Sequence, residues 1–500
     1  VYTKITRSYI LLTLACALAS SANAQFVQQG GKLVAAANGA YQGYSVALSA
    51  DGNTAIVGAP PHTNGGLYAP VGGAWVYTRS GGVRSQQGGE LVGTGAVGSA
   101  GLGWSVALSS DGNTAIVGGP GDNLDTGAAW VYTRSGGVWA QQGSKLVGTG
   151  AVGGAYQGWS VALSADGNTA IVGGDGDNPN YQGVGAGAAW VYTRSGGVWT
   201  QQGSKLVGTG AVGSACQGLS VALSGDGNTA IVGGDEDNNQ AGAAWVYTRS
   251  GGVWIQQGSK LVGTGSVQGQ YGAGQGYSVA LSSDGNTAIV GGAFDNADAG
   301  AVWVFTRSGG VWTQQGSKLV GTGSVGNAGQ GHSVALSGDG NTAIVGASGN
   351  STAAGAVWVY TRSGGVWTQQ GGSLAIIGAY GGGAYEGGCS VALSADGNTA
   401  IVGGYGDNNN TGAAWVFVAH STAPVGLTAL PASLTFTSQA MGSTPPSQSL
   451  IVISTTGTSV PFIYAAVTTT GPSGWLSMSL ESAVTPATVV VGVNPTGLGL

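Results

Sequence analysis

The sequence predicts an all-β chain, a seven-bladed β-propeller followed by a small β-sandwich. Three observations predict it. First, a unit reading S-V-A-L-S-x-D-G-N-T-A-I-V-G recurs from Ser45, Ser105, Ser160, Ser220, Ser278, Ser333 and Ser390, a period of 55 to 60 residues. Second, each period holds four short runs rich in Val, Ile, Trp, Tyr and Thr, which read as strands. Third, the chain ahead of the first unit supplies one run that the last unit lacks. A strand-built period of this size means small sheets repeated around an axis.

The elements follow in chain order. Residues 1–24 read as an export signal: Lys4 and Arg7, an apolar stretch from Tyr9 to Ala19, then Ala22-Asn23-Ala24 as a cleavage site. The apolar stretch is too short to span a bilayer, and Thr13-Leu14-Ala15 before Cys16 is a poor match to a lipobox. Residues 25–419 are the propeller. Within a copy, strand A is S-V-A-L-S, strand B is T-A-I-V-G, strand C is A-W-V-Y-T, and strand D runs from Val198 to Val207 in the third copy. Asp-Gly-Asn joins A to B and Arg-Ser-Gly-Gly joins C to D, both tight-turn chemistry. Phe26 to Val34 is a strand D without A, B or C, and the seventh copy stops after strand C at Trp415-Val416-Phe417. The first run is therefore expected to complete the last blade, which removes the exposed edges of an open stack. Residues 420–430 read as a linker. Residues 431–500 carry short alternating runs with Pro and Gly turns, the texture of a sandwich. The chain begins with Val and ends soon after Asn494-Pro495, so it is expected to be part of a longer product.

Loop lengths divide the disc into two faces. From the turn Asp to the strand C Trp is 19 residues in five copies but 24 in the first and third (Asp51 to Trp75, Asp166 to Trp190). The A–B and C–D turns never change length. All insertions fall in the B–C and D–A connections, which share one face of an up-and-down sheet. A ligand is expected on that variable face, at Tyr68, Asp122, Asp125, Asp175, Asp177, Tyr181, Asp235, Glu236, Asp237, Asp295, Asp298 and Asp407. The Asp and Asn residues there read first as turn formers on a solvated rim. The alternative is a weak cation or polar-ligand rim, with no cofactor otherwise expected.

Composition excludes several classes. Charged residues make up 7% with a net charge of −6 and no basic stripe, so nucleic acid is not an expected partner. Glycine, at 100 of 500 residues, punctuates strands and does not replace a core, because hydrophobic residues still make up 42%. Cys216 and Cys389 sit in different copies at different repeat positions and read as buried thiols. His62, His332 and His420 share no spacing with a Ser, Cys or carboxylate, and no metal or phosphate motif appears, so no enzyme is expected. The repeated arginines (Arg79, Arg134, Arg194, Arg249, Arg307, Arg362) and the turn aspartates read as exposed pairs on the constant face, contributing little each. The repeated tryptophans read as blade-to-blade packing.

At Gly43 to Pro60, G-Y-S-V-A-L-S-A-D-G-N-T-A-I-V-G-A-P, the chain resembles the FG-GAP repeat of integrin α-subunits and secreted bacterial proteins. The resemblance implies the propeller and a binding surface built from loops. The family's Phe-Gly is Gln-Gly here at Gln42, Gln157, Gln217, Gln275 and Gln330, and its multi-carboxylate calcium loop is reduced to one Asp, as at Asp51. Calcium binding is not carried over to that loop. The segment around Trp475 and Asn494-Pro495 resembles bacterial Ig-like modules of the BACON type, for which carbohydrate binding has been proposed. The combined expectation is an exported, monomeric, non-catalytic recognition or adhesion protein, secreted or at the cell surface, with a protein partner. A carbohydrate-binding surface protein, or an accessory region of a larger extracellular enzyme, is the alternative.

Overall fold

Seven antiparallel four-stranded sheets close into a ring over residues 25–420. The computed structural model describes residues 25–35, 41–61, 72–180, 184–267, 272–323, 327–349, 355–379, 390–420, 427–430, 434, 444–454, 476–480 and 487–494. In blade three, strands A to D are Ser160–Leu163, Thr169–Gly174, Ala188–Ser195 and Val198–Gln201, paired in that order. The other blades repeat this pattern. Strand D is shorter than the sequence suggests. Gly203, at φ +74°, breaks it, and the chain rejoins the blade only at a bridge from Leu206 to Ala189.

Blade seven is composite, as the offset of the repeats requires. Gln25–Gln28 pairs antiparallel with Ala413–His420, with Phe26 opposite Ala419. Closure at the inner end includes a complete ring of backbone hydrogen bonds. The residue before each turn Asp donates its N–H to the same position of the next blade: Ala50 to Ser110, Ser110 to Ala165, Ala165 to Gly225, Gly225 to Ser283, Ser283 to Gly338, Gly338 to Ala395, and Ala395 back to Ala50, at 2.8–2.9 Å. The A–B hairpin has to hold one shape for this ring to form. In blade one, Asp51 Oδ1 accepts from Ser49 Oγ and Asn53 N, and Oδ2 accepts from Asn53 Nδ2. Every Asp-Gly-Asn turn repeats this local network.

The core lies between blades. Strand B is buried along nearly its whole length in every blade. The strand C tryptophans are no more than 4% exposed. Trp245 lies under the linker from blade three, where a Cβ on Gly208 would stand 2.1 Å from Trp245 Cδ1, so only glycine fits. The indole Nε1 donates to the next carbonyl, Thr209 O, at 2.9 Å. Tryptophan packing between blades is thus as the repetition implies.

The second unit lies beyond residue 420. Its described strands, Leu427–Leu430, Gln448–Ser454, Leu476–Leu480 and Ala487–Val493, form one small antiparallel sheet. The first of them falls in the segment that reads as a linker. No second sheet is present among the described residues, and the rest of the expected sandwich lies outside them. Ala487, Val489, Val491 and Val493 bury one side of the last strand.

Candidate functional site

The variable face divides into residues that build it and residues that it presents. Five of the expected ligand-binding carboxylates belong to the first group. Asp122, Asp177, Asp237, Asp295 and Asp407 have side chains only 1% exposed, each ion-paired with the lysine that follows a strand D: Lys145, Lys205, Lys260, Lys318 and Lys32. In the middle blades the second carboxylate oxygen accepts a backbone N–H from the incoming D–A linker, as Val212 N gives to Asp237 at 2.7 Å. This corrects the reading of these aspartates as turn formers on a solvated rim. They are internal clamps, since a buried carboxylate must be paired and hydrogen-bonded.

The signal was in the sequence. Blade six has neither partner, with Ser373 at the lysine position and no acid in its B–C loop, and blade one has Glu90 with no Asp in its own. Five copies carry both partners and two carry neither.

Four of the clamped loops then turn through three consecutive left-handed residues. In blade four these are Asn238, Asn239 and Gln240, at φ 52°, 56° and 64°. Asn tolerates this region better than most residues. Leu124, at the same turn of blade two, is 93% exposed. Asp125 is exposed and Asp298 half-buried at the ends of their turns. Tyr68 and Tyr181 lie outside the described residues.

What the face presents gathers toward the axis. The strands A form the innermost ring, each touching the next. The residue before the Ser-Val-Ala-Leu run is Tyr44, Trp104, Trp159, Leu219, Tyr277 and His332 in blades one to six, all half-buried. Tyr405, Tyr44, Trp104 and Trp159 make a continuous arc, with ring centroids 5.3, 4.7 and 4.7 Å apart. Tyr41 and Tyr156 flank it, both held at positive φ. Across the ring, Tyr277 Oη lies 3.2 Å from His332 Nε2. His332 borders a cleft of about 240 Å³ with Phe294, Asp298, Asn327 and Ser348.

Between these two groups sit the uncommitted acids. Burial lifts Asp175 to about 6, and its Oδ1 is buried without a hydrogen-bond partner. Burial, then repulsion from Glu236 and Asp175, lifts Asp235 to about 7. Burial and the same three carboxylates push the Cys216 thiol well up, which makes it a poor nucleophile. Asp175 and Asp235 occupy equivalent positions after strand B in adjacent blades. Sequence reasoning listed both but missed the aromatic arc. Its signal was the varied residue just before each Ser-Val-Ala-Leu-Ser.

The constant face is committed to itself. Arg194 Nε donates to Asn168 Oδ1, Nη1 to Gln142 Oε1 of the preceding blade, and the guanidinium lies 5.3 Å from the Trp199 ring. Five of the six arginines, Arg134, Arg194, Arg249, Arg307 and Arg362, are therefore ties between blades and not exposed pairs with aspartate. Among the described residues no group of three or more His, Cys, Asp or Glu side chains is placed to hold a metal ion, and no helix is long and apolar enough to cross a membrane.

Fold and repeat make the chain a seven-bladed β-propeller. No protein-family model matches the sequence, and neither does any curated protein.

Proposed function

We propose that the protein is an exported, non-catalytic recognition module that binds a protein partner on the variable face of the propeller, centred on the axial aromatic arc. The observation that carries this reading is the contrast between faces. On one side polar groups satisfy one another copy after copy. On the other, half-buried rings at Tyr44, Trp104, Trp159 and Tyr405 form an arc, and further round the ring Asp175, Asp235 and Glu236 have no lysine ion pair among the described residues. Aromatic residues with partly exposed rings are the common anchors of interfaces. Export rests on the leader pattern of residues 1–24.

The arc also supports a second reading, a carbohydrate ligand stacked on Trp104 and Trp159, to which a carbohydrate-binding C-terminal module would be suited. One experiment serves both. Protein and glycan arrays are probed with the full chain, with Trp104→Ala/Trp159→Ala, and with Val138→Ser/Val198→Ser on the opposite face. Signal on the protein array that is lost only in the tryptophan variant is expected. Loss in the valine variant alone rejects the face. Tryptophan-dependent signal on the glycan array alone replaces the protein reading with the carbohydrate one.

A further inference from the structure

The seven blade junctions are not equal at the rim. In five of them the second Gln after strand D accepts two hydrogen bonds from the next blade, one from the strand C arginine and one from the strand D tryptophan. Gln87 takes them from Arg134 and Trp139, Gln142 from Arg194 and Trp199, Gln202 from Arg249 and Trp254, Gln257 from Arg307 and Trp312, and Gln315 from Arg362 and Trp367, at 3.0–3.2 Å.

The two junctions that lack this staple are the two that flank blade seven. On one side Ala419 and Phe26 stand where the arginine and tryptophan belong, so Gln370 Oε1 is buried with no partner and its amide turns to Thr361 and Thr368 of its own blade. On the other, blade one has Arg84 in the tryptophan slot. Its Nη atoms bond Asn53 O and Gly52 O, and Gln29 Oε1 is likewise buried with no partner. Thr342, whose counterparts elsewhere are about 5% exposed beneath an arginine, is only half-buried. Gln25–Gln28 is thus the one outer strand bare of staples on both sides. The inner ring of backbone bonds crosses both junctions unchanged.

We propose that Gln25–Gln28 is an exchangeable strand. It leaves the rim of blade seven while the inner ring stays shut, and the first strand of a second copy of the chain takes its place on Ala413–His420. Charge-assisted hydrogen bonds are the stronger kind, and a buried acceptor left empty is a cost, so the unstapled strand opens first among the outer strands. The slot holds this segment by side chains as well as by strand pairing. It takes Phe26 into the blade core, Lys32 onto Asp407, and Gln28 into two bonds with Ile377. Each of the other outer strands carries at least one staple. Because the chain's own strand is tethered, its local concentration is in the millimolar range, so a competitor must reach that range.

The test uses the full chain. In hydrogen–deuterium exchange, amides of residues 25–28 are expected to exchange at least tenfold faster than those of the stapled strand at residues 138–141. A labelled peptide of residues 25–35 at millimolar concentration is expected to be taken up, and the same peptide carrying Phe26→Asp is not. The double variant Phe26→Trp/Ala419→Arg gives Gln370 both its partners and is expected to slow exchange of residues 25–28 about tenfold and to suppress uptake. Equal protection of the two strands, no selective uptake, or a folded double variant that behaves like the parent overturns the proposal. If the double variant does not fold, the first two measurements on the parent chain decide it.

Discussion

At the scale of single residues, the repeat makes internal controls available. Tyr77, Tyr132, Tyr192 and Tyr247 bury hydroxyls that meet no partner, and burial pushes Tyr77 up to about 12. Blades five and seven carry Phe305 and Phe417 in the same slot. Tyr192→Phe and Tyr247→Phe are therefore expected to stabilise the chain by about 1 kcal/mol each, read as a raised denaturation midpoint. The carboxylates give a pH profile with two limbs. Asp175 and Asp235 have folded values raised to about 6 and about 7, so they favour the folded state below the ordinary carboxylate range and lose that contribution as pH rises through 6 to 7. The turn aspartates behave oppositely. Burial works against their ionisation, but hydrogen bonds such as those from Ser49 and Asn53 to Asp51 win and hold them low, so their contribution vanishes only as pH falls below about 4. Melting temperature is expected to peak near pH 4–5. Asp175→Asn/Asp235→Asn should flatten the limb between pH 5 and 8 and raise the melting temperature at pH 8. An unchanged slope there would contradict the assignment.

At the scale of elements, sequence reading succeeded where one residue type forces one backbone shape. Asp-Gly-Asn and Arg-Ser-Gly-Gly gave the turns, and alternation gave the strands. It failed where long-range partners decide. Nothing local in Asp122 or Asp237 separates a rim turn from a buried clamp. The partner lysine lies 23 residues on in both, beyond a whole strand pair. Gln217 was legible only as a departure from Phe, yet its buried amide bonds both the N–H and the carbonyl of Gly208 in the incoming linker. Two variants examine these elements by chemical denaturation. Lys260→Met strands the Asp237 carboxylate at 1% exposure and is expected to cost about 3 kcal/mol, most of it recovered by adding Asp237→Asn. Gly208→Ala drives a methyl into Trp245 and is expected to cost at least about 3 kcal/mol, since neither backbone nor indole can give way in the packed junction.

At the scale of the whole molecule, blade number and the composite seventh blade were legible because counting repeats needs no side-chain geometry. The axial site was not, because it exists only once seven distant positions are brought round to one axis. Closure through Gln25–Gln28 predicts that removing residues 25–35 exposes the strand C edge of blade seven and promotes self-association, measurable by light scattering at constant temperature. The offset of the seam has another consequence. The segment that shuts the ring is always supplied by the two ends of the array, three strands from one and one from the other. A duplication or loss of one whole period anywhere inside leaves those ends intact. Unequal crossing-over between the near-identical copies can then change the number of repeats in a single genetic event while the gene keeps both parts of the composite blade.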